Sequence, residues 1–172
     1  MALADLTQTI PDYAKDLRLN IGSLLNETLL TDQQKYGTLL ACAHATGFAP
    51  LVAEAEAEAA ARLSPEAVNA AKAAAAIMAM NNVYYRFTHL ASNPEYRTLP
   101  ARLRMNVIGS PGIEKVDFEL FCLAVSAING CGACVDSHEK VLKQHGVKTE
   151  TVQASVRLAS VVQAVAATLR AL

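Results

Sequence analysis

Three features of this sequence predict an all-α fold. Alanine, the best helix former, supplies 32 of the 172 residues. The alanine-rich stretches lack the period-two alternation of β-branched residues that marks strands. Helix start and stop signals also recur, the clearest being Ser64-Pro65-Glu66. That triplet combines an N-cap, a proline at the first helical position and an acid in the first turn. A chain of this length can bury a sizeable core. One domain over residues 1–172, with about eight helices, is expected.

The helices follow in order. Pro11 opens the first, predicted over 12–28. Thr31-Asp32 caps the second, over 33–45, which Gly47 stops. The third covers 50–61. The fourth starts at Ser64 and continues to about Leu90, with Asn81-Asn82 as the point where it could break. Residues 92–114 are punctuated by Pro94, Pro100, Gly109, Pro111 and Gly112. They read as a connector, with one short helix over 101–106. A helix over 114–128 follows, buried because it is apolar nearly all round. Asn129-Gly130 makes a turn. The next helix carries Cys131 to about His145, and the last runs over 149–169. The segments beginning at Gln34 and Val116 share an apolar pattern, as do those beginning at Pro65 and Thr149. An internal duplication is therefore expected, with a degenerate repeat at about 12–91 and a chemically active one at about 114–170. Gly37 of the first copy stands where Glu119 stands in the second.

Composition excludes several function classes. Fifteen basic residues against sixteen acidic ones leave a net charge of −1. A nucleic-acid partner needs a clustered basic face, so none is expected. Residues 1–12 have neither a basic n-region nor a long apolar h-region. The longest apolar runs, 73–80 and 120–128, are short of the roughly 18 residues that suggest a membrane span. A cytoplasmic protein with no membrane partner is expected. A hydrophobic fraction of 52% is high for a monomer and predicts surface buried between subunits.

Four cysteines in a chain this long do not make a disulfide scaffold. Cys42 and Cys122 stand alone and read as small core residues. Cys131 and Cys134 form a single Cys-x-x-Cys, which signals redox or metal chemistry. Cys131, Cys134 and His138 are spaced three and four apart, so they share one narrow arc of a helix. The pair falls in the first turn, where free N–H groups and the positive end of the helix dipole favour a thiolate. Glu119 is the one carboxylate on the apolar face of the preceding helix, and burial there requires it to be protonated or partnered. With the two helices antiparallel about Gly130, at about 1.5 Å per residue, Glu119 lies roughly 16 Å from the turn, His138 roughly 12 Å and Cys134 roughly 6 Å. The order is then Glu119 to His138 to Cys134: a general base feeding a proton relay that activates a thiol.

The spacing Glu119-x11-Cys131-x2-Cys134-x3-His138 resembles that of the alkyl hydroperoxidase D family, in the carboxymuconolactone decarboxylase-like superfamily. Supporting segments are Phe118-Glu-Leu, Ala124-Val-Ser-Ala-Ile-Asn-Gly-Cys, Arg104-Met-Asn, Pro111-Gly-Ile, Tyr13-Ala-Lys-Asp-Leu, Gly37-Thr-Leu-Leu-Ala and Ile77-Met-Ala-Met-Asn-Asn-Val. The resemblance covers nearly all the chain. It implies a helical homotrimer acting as an antioxidant thiol peroxidase, with no bound cofactor. It also implies that the protein recharges a partner peroxiredoxin, the alkyl hydroperoxide reductase C protein. Electrons would arrive as dihydrolipoamide, from a lipoyl-bearing acyltransferase and dihydrolipoamide dehydrogenase. By position, Cys134 is the thiol that attacks alkyl hydroperoxides and becomes a sulfenic acid. Cys131 donates a proton and resolves Cys134 as a disulfide, and Glu119 and His138 form the relay. Some members carry a histidine between the cysteines. Here Gly132 and Ala133 stand there, so direct peroxidase activity is expected to suffer more than dithiol exchange.

Other readings compete. Zinc could take Cys131, Cys134, His138 and Glu119, but Glu119 would have to reach past His138. A small-lactone decarboxylase of the same superfamily, or a non-catalytic redox protein, would leave the dithiol without turnover. His44 and His89 read as structural, and His145 as bonded to terminal carbonyls. Met78, Met80, Tyr84 and Tyr85 read as packing. Glu54, Glu56 and Glu58 read as a solvated face.

Overall fold

A computed structural model describes residues 3–172. Met1 and Ala2, which begin the segment read above for a leader, lie outside the described residues. Among those residues there are nine α-helices and two short 3-10 turns, with no strand. The helices are α1 (Leu3–Gln8), α2 (Lys15–Asn26), α3 (Asp32–Thr46), α4 (Ala49–Ala60), α5 (Pro65–Leu90), α6 (Asn106–Gly109), α7 (Lys115–Ile128), α8 (Gly132–Gln144) and α9 (Thr149–Arg170). The 3-10 turns are Asp12–Ala14 and Pro94–Arg97.

The signals in the sequence act as read. Thr31 accepts from the Gln34 N–H, and the Gln34 side chain accepts from the Thr31 N–H, closing a capping box. Ser64 accepts from the Ala67 N–H at the start of α5. Helices α3 and α7 pack on each other at the centre, flanked by α5 and α9. Both central helices are buried through most of their length. Gly37 makes their approach possible: a Cβ there would collide with the Phe121 ring. The two helices are also tied near their starts, where Gln33 and Gln34 donate to the two oxygens of the buried Asp117, at 2.6 and 2.9 Å.

Four expectations need correction. The six-residue α1 was not foreseen; Leu3 and Leu6 bury it, and it packs on α4. The asparagines do not break α5. Free asparagine amides compete for nearby backbone, but the Asn82 amide is committed to Ser126 and Asn129 instead. The connector helix lies at Asn106–Gly109, not 101–106. Pro100 and the left-handed Arg102 (φ 53°) precede it, and neither suits a helix interior. The acidic face is only partly solvated, because Glu54 is buried and Glu56 and Glu58 are ion-paired.

By length and composition α9 is apolar enough to cross a membrane, with a mean hydropathy of 1.3 over 18 residues. In the fold it is a core helix. Leu158, Val162, Val165 and Ala166 are buried, and it packs on α2, α3 and α7.

Candidate functional site

One glycine creates the site. Gly130 adopts a left-handed conformation (φ 67°) just past α7. Its N–H reaches the Ala127 carbonyl, and the next N–H, from Cys131, reaches that of Ser126. This is a Schellman termination. The chain reverses at once, because Cys131 is also the N-cap of α8. Its sulfur accepts from the Cys134 N–H at 3.3 Å. Cys131 and Cys134 are joined as a disulfide in the first turn of α8. The sulfur of Cys131 therefore rests on a free backbone N–H at the positive end of a helix, a setting that favours a thiolate when the bond opens.

The antiparallel hairpin of α7 and α8 brings Glu119 against His138. Glu119 Oε2 lies 2.6 Å from His138 Nδ1, with both residues buried. A carboxylate and an imidazole in this geometry share a proton, which answers the cost of burying Glu119. His138 does not hydrogen-bond either cysteine in this disulfide state. Its Nε2 lies 3.3 Å from the Met78 sulfur on α5.

Helix α5 supplies what sequence reasoning missed. Met78, read as packing, touches His138 and also lies 3.4 Å from Ser126 Oγ. Asn82 donates to Ser126 at 2.9 Å and accepts from Asn129 at 2.9 Å, which ties the α7–α8 turn to α5. Cys134 Sγ lies 3.9 Å from the Asn81 carbonyl oxygen. The side-chain oxygen of Asn81 is buried with no hydrogen-bond partner among the described residues. The Asn-Asn pair was the available signal, because two amides in the middle of an apolar helix need partners. Its tertiary partners lie over forty residues away, beyond what helical spacing can reveal.

A cavity of about 630 Å³ opens on these groups. Cys134, Glu119 and His138 line it; Cys131 does not. Its apolar lining comes from Met78, Met105, Ile108 and Val141. Tyr85, His89 and Lys115 also line it. His89, read as structural, accordingly faces the cavity, although its Nδ1 lies 2.9 Å from the Tyr85 carbonyl. His145 meets the Val141 carbonyl at 2.9 Å, as expected of a helix-end histidine. His44 pairs with Glu56 at the opposite end of α3.

The remaining thiols are set apart from this chemistry. Burial pushes the Cys42 thiol far above its usual range. Cys122 is pushed up by burial and then by the nearby charge of Glu119. Neither is a ready nucleophile. Among the described residues, no three histidine, cysteine or acidic side chains are grouped as a metal-ligand set.

Fold and site together define a class: all-helical proteins with a dithiol at a helix start, beside a buried carboxylate–imidazole pair. Residues 94–172, which contain that whole constellation, match the carboxymuconolactone decarboxylase family. The chain is 66% identical over 166 residues to an alkyl hydroperoxide reductase AhpD of Rhizorhabdus wittichii, covering 96% of each chain. It is 65% identical over 171 residues to one of Hyphomonas neptunium, covering 99% of this chain and 95% of the other. Against one of Streptomyces griseus it is 62% identical over 171 residues, covering 99% and 97%. The chain belongs to the alkyl hydroperoxide reductase AhpD family.

Proposed function

We propose that this protein reduces alkyl hydroperoxides with the Cys131–Cys134 dithiol and passes reducing equivalents to a partner peroxiredoxin of the alkyl hydroperoxide reductase C type. One observation carries the assignment of roles. Of the two cysteines, only Cys134 lines the cavity, and it does so alongside Glu119 and His138.

In the reduced protein Glu119 draws on His138, and His138 takes up the Cys134 proton. The Cys134 thiolate attacks one oxygen of the hydroperoxide. The O–O bond breaks, the alcohol leaves with a proton returned by the relay, and Cys134 becomes a sulfenic acid. The Cys131 thiolate then attacks that sulfur, water leaves, and the disulfide closes. The unpaired Asn81 oxygen offers an acceptor for the hydroperoxide O–H.

Reopening requires two electrons. A dihydrolipoamide thiolate attacks the accessible sulfur, Cys134, and Cys131 leaves. The N–H that Cys131 accepts at the helix start stabilises it as a leaving thiolate, and a better leaving group speeds exchange. The lipoyl group would be presented by an acyltransferase and recharged by dihydrolipoamide dehydrogenase. No cofactor is needed within the chain itself. We read the protein as a cytoplasmic homotrimer. Val83, Phe87 and Leu90, exposed along one face of α5 at helical spacing, support subunit contact.

The test is a thiol count by mass mapping, before and after one equivalent of alkyl hydroperoxide. Cys131 and Cys134 should lose their thiols together and regain them with dihydrolipoamide. Cys42 and Cys122 should stay unmodified in the folded protein. Cys134→Ser should abolish turnover; a Cys134→Ser protein as active as the wild type would overturn the reading. A lactone decarboxylase, the activity in the name of the matching family, would be indifferent to alkylation of the reduced dithiol.

A further inference from the structure

Three polar side chains converge on a single buried sulfur. Met78 Sδ lies 3.3 Å from His138 Nε2, 3.4 Å from Ser126 Oγ and 3.8 Å from Asn82 Nδ2. Met78 is 1% exposed. A thioether accepts hydrogen bonds weakly and has no hydrogen to give. Every polar neighbour must therefore present a hydrogen to it.

The directions around this sulfur are fixed from outside. The Asn129 amide donates to Asn82 Oδ1, which orients the Asn82 amide. Asn82 Nδ2 then donates to Ser126 Oγ. The hydroxyl of Ser126, having accepted there, directs its own hydrogen at the sulfur. On the other side, His138 Nε2 has the sulfur as its hydrogen-bond partner. A bare Nε2 lone pair would face the sulfur lone pairs with nothing to accept. A protonated Nε2 has an acceptor.

We infer that Met78 is a positioning residue that keeps a hydrogen on His138 Nε2, so that proton exchange with Glu119 is confined to Nδ1. This deepens the function proposed above and rests on its reading of His138 as the relay. The weakness of the acceptor is what makes the arrangement useful. A thioether holds the ring and its hydrogen in place, yet cannot take the proton. An alkoxide formed at Cys134 in the cavity is a far stronger acceptor and takes the Nε2 proton from its resting place. The Cys134 thiol of the next turnover refills Nε2, while Glu119 keeps its hold on the Nδ1 side of the ring. No redox step is added: one proton moves from Nε2 to the alkoxide, and one returns to Nε2 from the Cys134 thiol once the disulfide has been reduced.

The groups that could mimic this effect are few. Besides Glu119 and Cys134, the titratable side chains facing the cavity are Tyr85 and His89 from α5, Lys115 from α7 and Asp136 from α8. Cys122 stands near Glu119 on α7, its thiol pushed up by burial and by that charge. The cavity-lining residues of α6 and the segment before it, Ile108 and Met105, do not titrate.

The experiment is nitrogen-15 NMR of the histidine rings in the whole protein, combined with the pH profile of hydroperoxide turnover. In the wild type, His138 Nε2 should resonate as a protonated ring nitrogen. Met78→Leu conserves volume, a change that cores tolerate, and removes the acceptor. Nε2 should then shift toward a mixture of protonated and bare forms. Turnover should fall roughly 3–10-fold, the worth of one hydrogen bond, and the pH profile should move toward acid, because the protonated nitrogen has lost its support. Selenomethionine keeps a lone-pair acceptor at this position, so protein grown on it should retain the wild-type spectrum and profile. A bare Nε2 in the wild type overturns the inference even if Met78→Leu fails to fold. So does a Met78→Leu protein with unchanged His138 resonances and an unchanged pH profile. If the histidine spectra behave as stated but hydroperoxide fails to oxidise the dithiol, the hold on Nε2 stands and the peroxidase reading falls.

Discussion

Glu119 and His138 are buried and meet at 2.6 Å. Replacing Glu119 with glutamine preserves size but removes the proton acceptor. The rate of disulfide formation with hydroperoxide should drop by about 10²–10⁴, the usual worth of a positioned general base. Far-ultraviolet circular dichroism should stay unchanged. Stopped-flow thiol titration measures the first quantity; an unaltered rate would remove Glu119 from the relay. The meeting of these two residues was legible in the sequence because it depends only on helical rise and one reversing turn. Met78 was not legible. A methionine in an alanine-rich stripe is indistinguishable from core packing, and its contact with His138 crosses sixty residues of chain.

At the scale of the elements, α3 and α7 meet without a spacer. Gly37→Ala would drive a methyl group into the Phe121 ring, which is wholly buried. Overpacking of this kind costs about 1–3 kcal/mol. The midpoint of chemical denaturation should fall accordingly, while an unchanged midpoint would mean that the two helices can slide apart at no cost. Helices with strong local punctuation were read well: Thr31 and Ser64 each cap through the predicted side chain. Elements decided by tertiary contact were not. The short α1 exists because Leu3 and Leu6 find α4. The continuity of α5 depends on Ser126 and Asn129, which lie far along the chain.

For the whole molecule, one ionic cluster joins three helices. Glu56 of α4 meets His44 of α3 at 3.0 Å and Lys72 of α5 at 2.6 Å. The hydrogen bond from Lys72 holds the Glu56 carboxyl below its ordinary value of 4.5, against the opposing effect of burial, with smaller help from the charge of Lys72 and from His44. A carboxylate lowered on folding stabilises the native state above its unfolded pKa, and that contribution disappears as pH falls through the folded value. Glu56 is 40% exposed, so solvent limits the contribution to about 1 kcal/mol at most. Glu56→Gln should therefore be slightly less stable than wild type near neutral pH and equal to it once the pH is well below 4.5. Denaturation midpoints at the two pH values decide this; a gap that widens in acid would contradict it. The sequence showed the acids at alternate positions but not which helices would face them, so a solvated face was the natural reading.

The disulfide described at the start of α8 joins residues only three apart. Such a small ring removes little freedom from the unfolded chain: about 2 kcal/mol in the entropy model, against nearly 5 for a loop of about 100 residues. The fold thus owes little of its endurance to this bond. Under the function proposed above, opening and closing it should recur through each round of chemistry while the helical frame stays put. On that reading, oxidised and reduced protein should differ as reagents far more than as structures.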